Sequence, residues 1–290
     1  MSFTQNIKEN ISKIESQCAS CDIAELSALC KLCTNYQGGQ VFIATENEAV
    51  AERVYTLFKS VFKTTVDYKN KNGNFRFYPD FDFFAETMAD KLMLFGDDYE
   101  KIVKKDCCRA AYIRGAFLGG GSVSNPNSRY HMEFDARYEV YANQLLNILK
   151  DCGISAKVTY RKGRYIVYIK EYEQIAGVLG IIGDFTAAME LYNTTIEKDL
   201  RNNANRRRNC EVANIDKIAK TAAQQIAAIR KIEKTPEFSL LPDSLKEMAR
   251  LRKENPFDSL KELGEKTNPP IGKSGVNHRL KRISEIAEKL

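Results

Sequence analysis

The sequence has only two histidines, His131 and His278, among 290 residues. Neither lies beside a Ser or Cys in a recognisable nucleophile motif. It contains no dinucleotide fingerprint, no Walker motif and no zinc-protease helix, so an enzymatic reading has no residues to rest on. No apolar run approaches the roughly 18–20 residues that span a bilayer. The opening residues Met1 to Asn6 lack both the basic and the apolar part of a signal peptide, which predicts a cytoplasmic chain with no membrane partner.

What is present describes an ordinary globular protein, 43% hydrophobic and 28% charged. Its length suits one large or two to three small domains. The charge is uneven. Residues 1–200 carry 24 basic and 26 acidic side chains, whereas residues 201–290 carry 20 and 12, so the whole net charge of +6 arises in the last 90 residues. A basic tail on a neutral body points to a polyanion, because Lys and Arg gain by releasing phosphate counterions.

The body reads as a duplication. Residues 41–77 align with 132–167 at an offset near 90: Val41-Phe42-Ile43 against Met132-Glu133-Phe134, Glu48 against Glu139, Ala51 against Ala142, and Gly73 against Gly163. Each copy is predicted to open with an apolar helix, 23–33 or 112–123. An extended stretch follows, 40–45 or 130–136, then an amphipathic helix, 48–62 or 138–150. A hairpin closes each copy, turning at Asn72-Gly73 or Lys162-Gly163.

The second opening helix contains Ile113-Arg114-Gly115-Ala116-Phe117-Leu118-Gly119-Gly120-Gly121. Glycines cost a helix about 0.8–1 kcal/mol each, but small residues on one face let two backbones approach closely. A phosphate-cradling loop is disfavoured, since the string lacks the Lys-Ser/Thr pair and a preceding strand. Ala24, Ala28, Gly115 and Gly119 are therefore the expected helix interface. A duplicated α/β unit opening with such helices resembles the LAGLIDADG homing-endonuclease fold. The phrase IRGAFLGGGSVSNPNSRYHMEF, together with the tail described below, more closely resembles the WhiA family of bacterial regulators, over nearly the whole chain.

In LAGLIDADG nucleases the eighth motif position is the acid that binds the catalytic metal. With the motifs placed at 22–30 and 113–121, those positions hold Leu29 and Gly120, neither of which can serve Mg²⁺, a hard cation that takes oxygen ligands. Asp22 and Glu25 fall at the wrong end of the helix. The resemblance thus implies a scaffold without nuclease activity and without a cofactor.

Eight cysteines in a chain with no leader predict reduced thiols. Cys18, Cys21, Cys30 and Cys33 form a paired CxxC array of the kind that holds zinc. An intervening helix of 11 residues would run about 16 Å, however, so the two pairs could meet only if the chain broke between Cys21 and Ala24. Small buried thiols are the preferred reading, with no metal expected. Cys107, Cys108, Cys152 and Cys210 show no ligand spacing.

The tail carries Arg206-Arg207-Arg208, which could contact phosphates, and then apolar residues at helical spacing from Ile215 to Ile232. Three short helices follow. One opens at Pro242-Asp243-Ser244 and one at the capping box Ser259-x-x-Glu262. The last begins after the turn Asn268-Pro269-Pro270-Ile271-Gly272. Its outer face is expected to present Lys273, Ser274, Asn277, His278, Arg279, Lys281 and Arg282, which is helix-turn-helix chemistry. The span SLKELGEKTNPPIGKSGVNHRLKRI also resembles the WhiA tail, itself similar to the promoter-reading domain of bacterial sigma factors.

The predicted architecture is α+β. A duplicated LAGLIDADG-like αββαββ domain over 1–185 (repeats about 20–80 and 109–185) leads through a helical basic linker, 186–240, to an all-α helix-turn-helix domain, 241–290. The resemblance implies a nucleoid-associated transcriptional regulator of double-stranded DNA, active in cell division, chromosome segregation or sporulation, with RNA polymerase or a sigma factor as a partner. A metal-dependent LAGLIDADG endonuclease and a protein-interaction scaffold are the alternatives.

Overall fold

The structure, a computed structural model, describes residues 2–38, 40–80, 82–96 and 98–290. Two compact units divide the chain between Lys198 and Asp199.

The first unit opens with α1 (Phe3–Ser12), whose Ser2 and Gln5 form a reciprocal capping box. Then come α2 (Ala19–Cys33), β1 (Thr34–Gln37), β2 (Gln40–Thr45), α3 (Glu48–Phe62), β3 (Asp67–Lys71) and β4 (Asn74–Tyr78). A π-helical turn at Phe83–Met88 runs into the short α4 (Ala89–Lys91). The second copy comprises α5 (Asp106–Gly120), β5 (Gly121–Val123), β6 (Met132–Ala136), α6 (Glu139–Asp151), β7 (Lys157–Arg161) and β8 (Arg164–Ile169). The sheets have matching antiparallel orders, β1-β2-β4-β3 and β5-β6-β8-β7. Both hairpins turn on left-handed pairs, Asn72 with Gly73 and Lys162 with Gly163, as two-residue turns between twisted strands require. After α7 (Tyr172–Ile182), α8 runs unbroken from Phe185 to Ile232 and crosses the division between the units. The residues expected as a separate linker are therefore shared between the two.

The helices α2 and α5 form the centre of the first unit. Ala24, Ala28, Leu29, Ala111 and Ala116 are fully buried, and so are the residues on most other faces of both helices. This burial hides where the two helices start. A helix buried all round has no amphipathic period to mark its limits, and α2 begins at Ala19 rather than residue 23, α5 at Asp106 rather than 112. The expected end at Val123 also fails: Gly121 is extended and pairs with Phe134 as the first residue of β5, and a Cβ there would lie 2.5 Å from Phe117.

The two copies do not keep one offset. Thr34 lies opposite Ile43 as Gly121 lies opposite Phe134, so the helix–strand corner repeats after 87 residues but the next strand after 91. The extra residues form the longer 124–131 connection of the second copy.

In the second unit, the end of α8 packs with α9 (Asp243–Glu254), α10 (Leu260–Glu265) and α11 (Lys273–Lys289). Ile229, Ile232, Leu245, Met248, Leu263, Val276, Leu280 and Ile283 make one apolar cluster. Of the apolar stripe expected from Ile215 to Ile232, Ala222, Ile229 and Ile232 are buried, whereas Ile215 is exposed.

Candidate nucleic-acid interface

The C-terminal ends of α2 and α5 correspond to the place where a LAGLIDADG nuclease holds its metal acids. Because the corner repeats after 87 residues, the partner of Gly120 is Cys33, not Leu29. Leu29 lies a turn earlier and is wholly buried. Neither Cys33 nor Gly120 offers a side-chain oxygen, and a Cβ at Gly120 would meet the Asp135 carbonyl at 2.6 Å. A cation occupies this end. Lys8 of α1 donates to the Leu118 carbonyl in the last turn of α5 at 3.1 Å, a favourable place for an ammonium. Burial pulls the Lys8 pKa down and pushes the Cys33 thiol up to about 12.

The carboxylates at the other end of α2 are already engaged. Asp22 accepts from Ser16 and Ser60. Glu25, fully buried, accepts from Arg53 Nε and Nη2 at 2.7 and 2.8 Å and from Arg114 Nε at 3.0 Å. The glycines pack where the helices cross: a Cβ on Gly115 would come 2.0 Å from the Glu25 carbonyl oxygen, and one on Gly119 3.0 Å from that of Leu29. The closest approach therefore involves Glu25 and Leu29, each one residue beyond Ala24 and Ala28.

The cysteine array differs from the CxxC pairing. Cys30 and Cys33 sit near the far end of α2, a 15-residue helix about 22 Å long, and do not meet Cys18 and Cys21. Cys107 and Cys108 meet them instead, and the four Sγ atoms lie within 4.8 Å of one another. Among the described residues this is the one such group of three or more His, Cys, Asp or Glu side chains. No spacing along the chain encodes this group, because the four sulfurs come from two helix starts far apart in sequence. His131 lies half-buried just before β6, with Nε2 3.1 Å from Glu133.

The second unit builds a helix-turn-helix from strong local signals. Ser259 and Glu262 form the capping box that opens α10. The Thr267 hydroxyl donates to the carbonyls of Gly264 and Pro269, and the Ile271 amide donates back to Gly264 at 3.0 Å. Gly264 has no room for a side chain, since a Cβ would lie 2.1 Å from the Ile271 oxygen. Arg252, almost fully buried, donates to the Asp258 carbonyl at 2.8 Å and ties the end of α9 to the start of α10.

On α11, Val276, Leu280, Ile283 and Ala287 face inward, while Lys273, Ser274, Asn277, His278, Lys281 and Arg282 are exposed along the opposite side. Arg279 differs. It is half-buried and turns back to Glu247 of α9 at 3.7 Å. Lys281 and Arg282 pair with Glu285 on their own helix at 4.0 and 3.3 Å, exposed contacts worth little. Asn277 and Lys273 line an open groove with Asn214 and Lys217 of α8. Arg206, Arg207 and Arg208 are exposed, and among the described residues no acid pairs with them.

Comparison with known proteins agrees with this layout. Residues 109–201 match the WhiA LAGLIDADG-like domain and residues 204–287 the WhiA C-terminal HTH domain. The chain is 41% identical over 312 residues to the "probable cell division protein WhiA" of Clostridium botulinum, covering 100% of this chain and 99% of that one. It is 38% identical over 314 residues to the protein of the same description from Halothermothrix orenii, with the same coverage. The full-length WhiA from T. maritima superposes with a TM-score of 0.62 at 25% identity, over 100% of this chain and 99% of that chain. By sequence along its full length, by both of its domains and by fold, this chain belongs to the WhiA family.

Proposed function

We propose that this protein is a DNA-binding regulator that lays α11 in the major groove and has no nuclease activity. The observation that carries this reading is the exposed stripe Lys273, Ser274, Asn277, His278, Lys281 and Arg282 on the last helix of a three-helix unit. Asn can pair with adenine edges, and Lys and Arg can pair with phosphates or guanine. The basic residues of this unit supply the sequence-independent part of the affinity, with Arg206 to Arg208 adding phosphate contacts. The relatives' descriptions favour a role in cell division, and the family resemblance extends it to chromosome segregation or sporulation. The cytoplasmic nucleoid is the corresponding location, and RNA polymerase or a sigma factor the corresponding protein partner.

The first unit acts as a scaffold derived from a nuclease fold. Cys33 and Gly120 stand where the acids would be needed, and the Lys8 ammonium repels a divalent cation from the same place. Duplex DNA mixed with the full chain in Mg²⁺ or Mn²⁺ should be retarded in a gel but remain uncut. Site-specific cleavage abolished by EDTA would sink the assignment. So would affinity that does not change with salt.

A further inference from the structure

The four cysteines at the starts of α2 and α5 have a geometry that the DNA-binding reading does not use. Cys18 is the residue before α2 and Cys21 lies in its first turn; Cys107 and Cys108 lie in the first turn of α5. The Sγ separations are 3.4 Å for Cys18–Cys21, 4.0 Å for Cys18–Cys107 and 3.8 Å for Cys18–Cys108. They are 3.9 Å for Cys21–Cys108 and 4.0 Å for Cys107–Cys108. The remaining pair is within 4.8 Å.

A zinc ion bound to four thiolates at about 2.3 Å spaces them along a tetrahedron with edges of about 3.8 Å. Five of the six edges match that figure to within a few tenths of an ångström. An iron–sulfur cluster places several metal and sulfide atoms between its thiolates and needs them farther apart. A hard cation such as Mg²⁺ or Ca²⁺ takes oxygen ligands and is poorly served by four thiolates. Four sulfurs in a tetrahedron select zinc, which also binds such sites more tightly than ferrous iron does.

The surroundings suit the charge. Binding Zn²⁺ displaces four thiol protons and leaves a complex of net charge −2. Two helix N-termini, those of α2 and α5, bring their positive ends to it. Cys21 and Cys108 are buried, while Cys18 and Cys107 are partly exposed, so the ion has an entry side and a closed side. At the 87-residue offset, Cys21 and Cys108 are equivalent positions in the two copies. The cluster therefore sits across the pseudo-twofold axis.

We propose that Cys18, Cys21, Cys107 and Cys108 bind a single Zn²⁺ ion as a tetrahedral tetrathiolate that clamps the starts of the two central helices together. The ion joins residues 86 to 90 positions apart and links the copies at the end opposite Lys8.

The test uses the full chain purified under reducing conditions. Elemental analysis should find one zinc ion per chain in the wild type. Cys210→Ser, which removes an exposed thiol of the second unit, should keep it. Cys107→Ser and Cys108→Ser should lose it, with zinc affinity falling by more than about 100-fold, the upper range for disturbing a group that merely supports a ligand. Because a ligand variant can fail to fold, the wild type provides a second measurement. Stepwise blocking of thiols by a mercurial should release one zinc as four thiols react. Co²⁺ exchanged into the site should show thiolate charge-transfer and tetrahedral d–d absorption. Wild-type zinc no higher than that of Cys108→Ser, iron in its place, or disulfides among the four cysteines would each overturn the proposal.

Discussion

Gly115 faces the main chain of Glu25 so closely that a single methyl group on it would lie 2.0 Å from the Glu25 carbonyl oxygen. Backbone, not a flexible side chain, stands in the way, so the helices must separate to admit it. Gly115→Ala should destabilise the first unit by about 1–3 kcal/mol or more through overpacking. Gly119→Ala, with 3.0 Å to the Leu29 carbonyl, should cost less, whereas Gly119→Leu should reach the same range. Thermal unfolding of the three variants checks the order, and equal melting temperatures for wild type and Gly115→Ala would refute it.

The Glu25 carboxylate also holds Arg53 of α3 and Arg114 of α5, and Arg114 reaches the Ile182 carbonyl of α7 at 3.3 Å. Removing one member of a buried ion network leaves the others charged and unpaired. Glu25→Gln should therefore lower stability by about 3–5 kcal/mol. Replacing Glu25, Arg53 and Arg114 together by apolar residues should cost less than that single change. Urea denaturation of both proteins tests the comparison.

Lys31 is buried on α2 with no acid paired to it among the described residues. Its Nζ donates to Gln144 at 2.9 Å and lies 5.6 to 5.9 Å from the rings of Tyr99, Tyr112 and Tyr141. Burial pulls its pKa down from 10.5 to about 8. Below pH 8 the folded protein bears the full penalty of the buried charge. Between about pH 8 and 10.5 the unfolded chain binds more protons than the folded one, so this group's contribution to stability rises with pH. Relative to Lys31→Met, the wild type should gain up to about 3 kcal/mol across that window. Chemical denaturation at several pH values measures the difference, and parallel profiles for the two proteins would remove the cause assigned.

On α11 the exposed residues should fail in distinct ways. Asn277→Ala should weaken binding to a specific site by about 1–3 kcal/mol and relax preference at one base pair. Lys281→Ala or Arg282→Ala should weaken all duplexes alike and flatten the salt dependence by about one unit of log–log slope. Arg279→Ala should leave base preference unchanged, since Glu247 holds that side chain against α9. Fluorescence anisotropy against specific and random duplexes at several salt concentrations separates the three. Loss of base preference in Arg279→Ala alone would reverse the grouping.

The parts of the fold that could be read in the sequence are those with local physical signatures. β2 and α3 have the predicted limits: β2 is a short apolar run ended by polar residues, and the 3.6-residue period of α3 survives because one of its faces meets solvent. The capping box at Ser259 and the left-handed turn residues at Asn72-Gly73 are equally local. The central helices are the least legible part: with most of their faces buried they show no period, and the longer 124–131 connection shifts the alignment so that Leu29, rather than Cys33, falls against Gly120. The meeting of Cys18 and Cys21 with Cys107 and Cys108 is a product of tertiary packing that no spacing along the chain encodes. The pairing of Arg279 with Glu247 belongs to the same class, since it depends on how α11 lies against α9.

From Leu200 to Lys217 every residue of α8 is exposed. That stretch contains Asn202, Asn203, Asn205, Asn209 and Asn214, all indifferent helix formers. Its helical state rests on its own backbone hydrogen bonds, so local opening there requires little free energy and disturbs neither apolar cluster. Cooperativity should therefore stop at this segment. The chain should melt as two blocks, each with its own midpoint, and a substitution in one should leave the other's transition where it was.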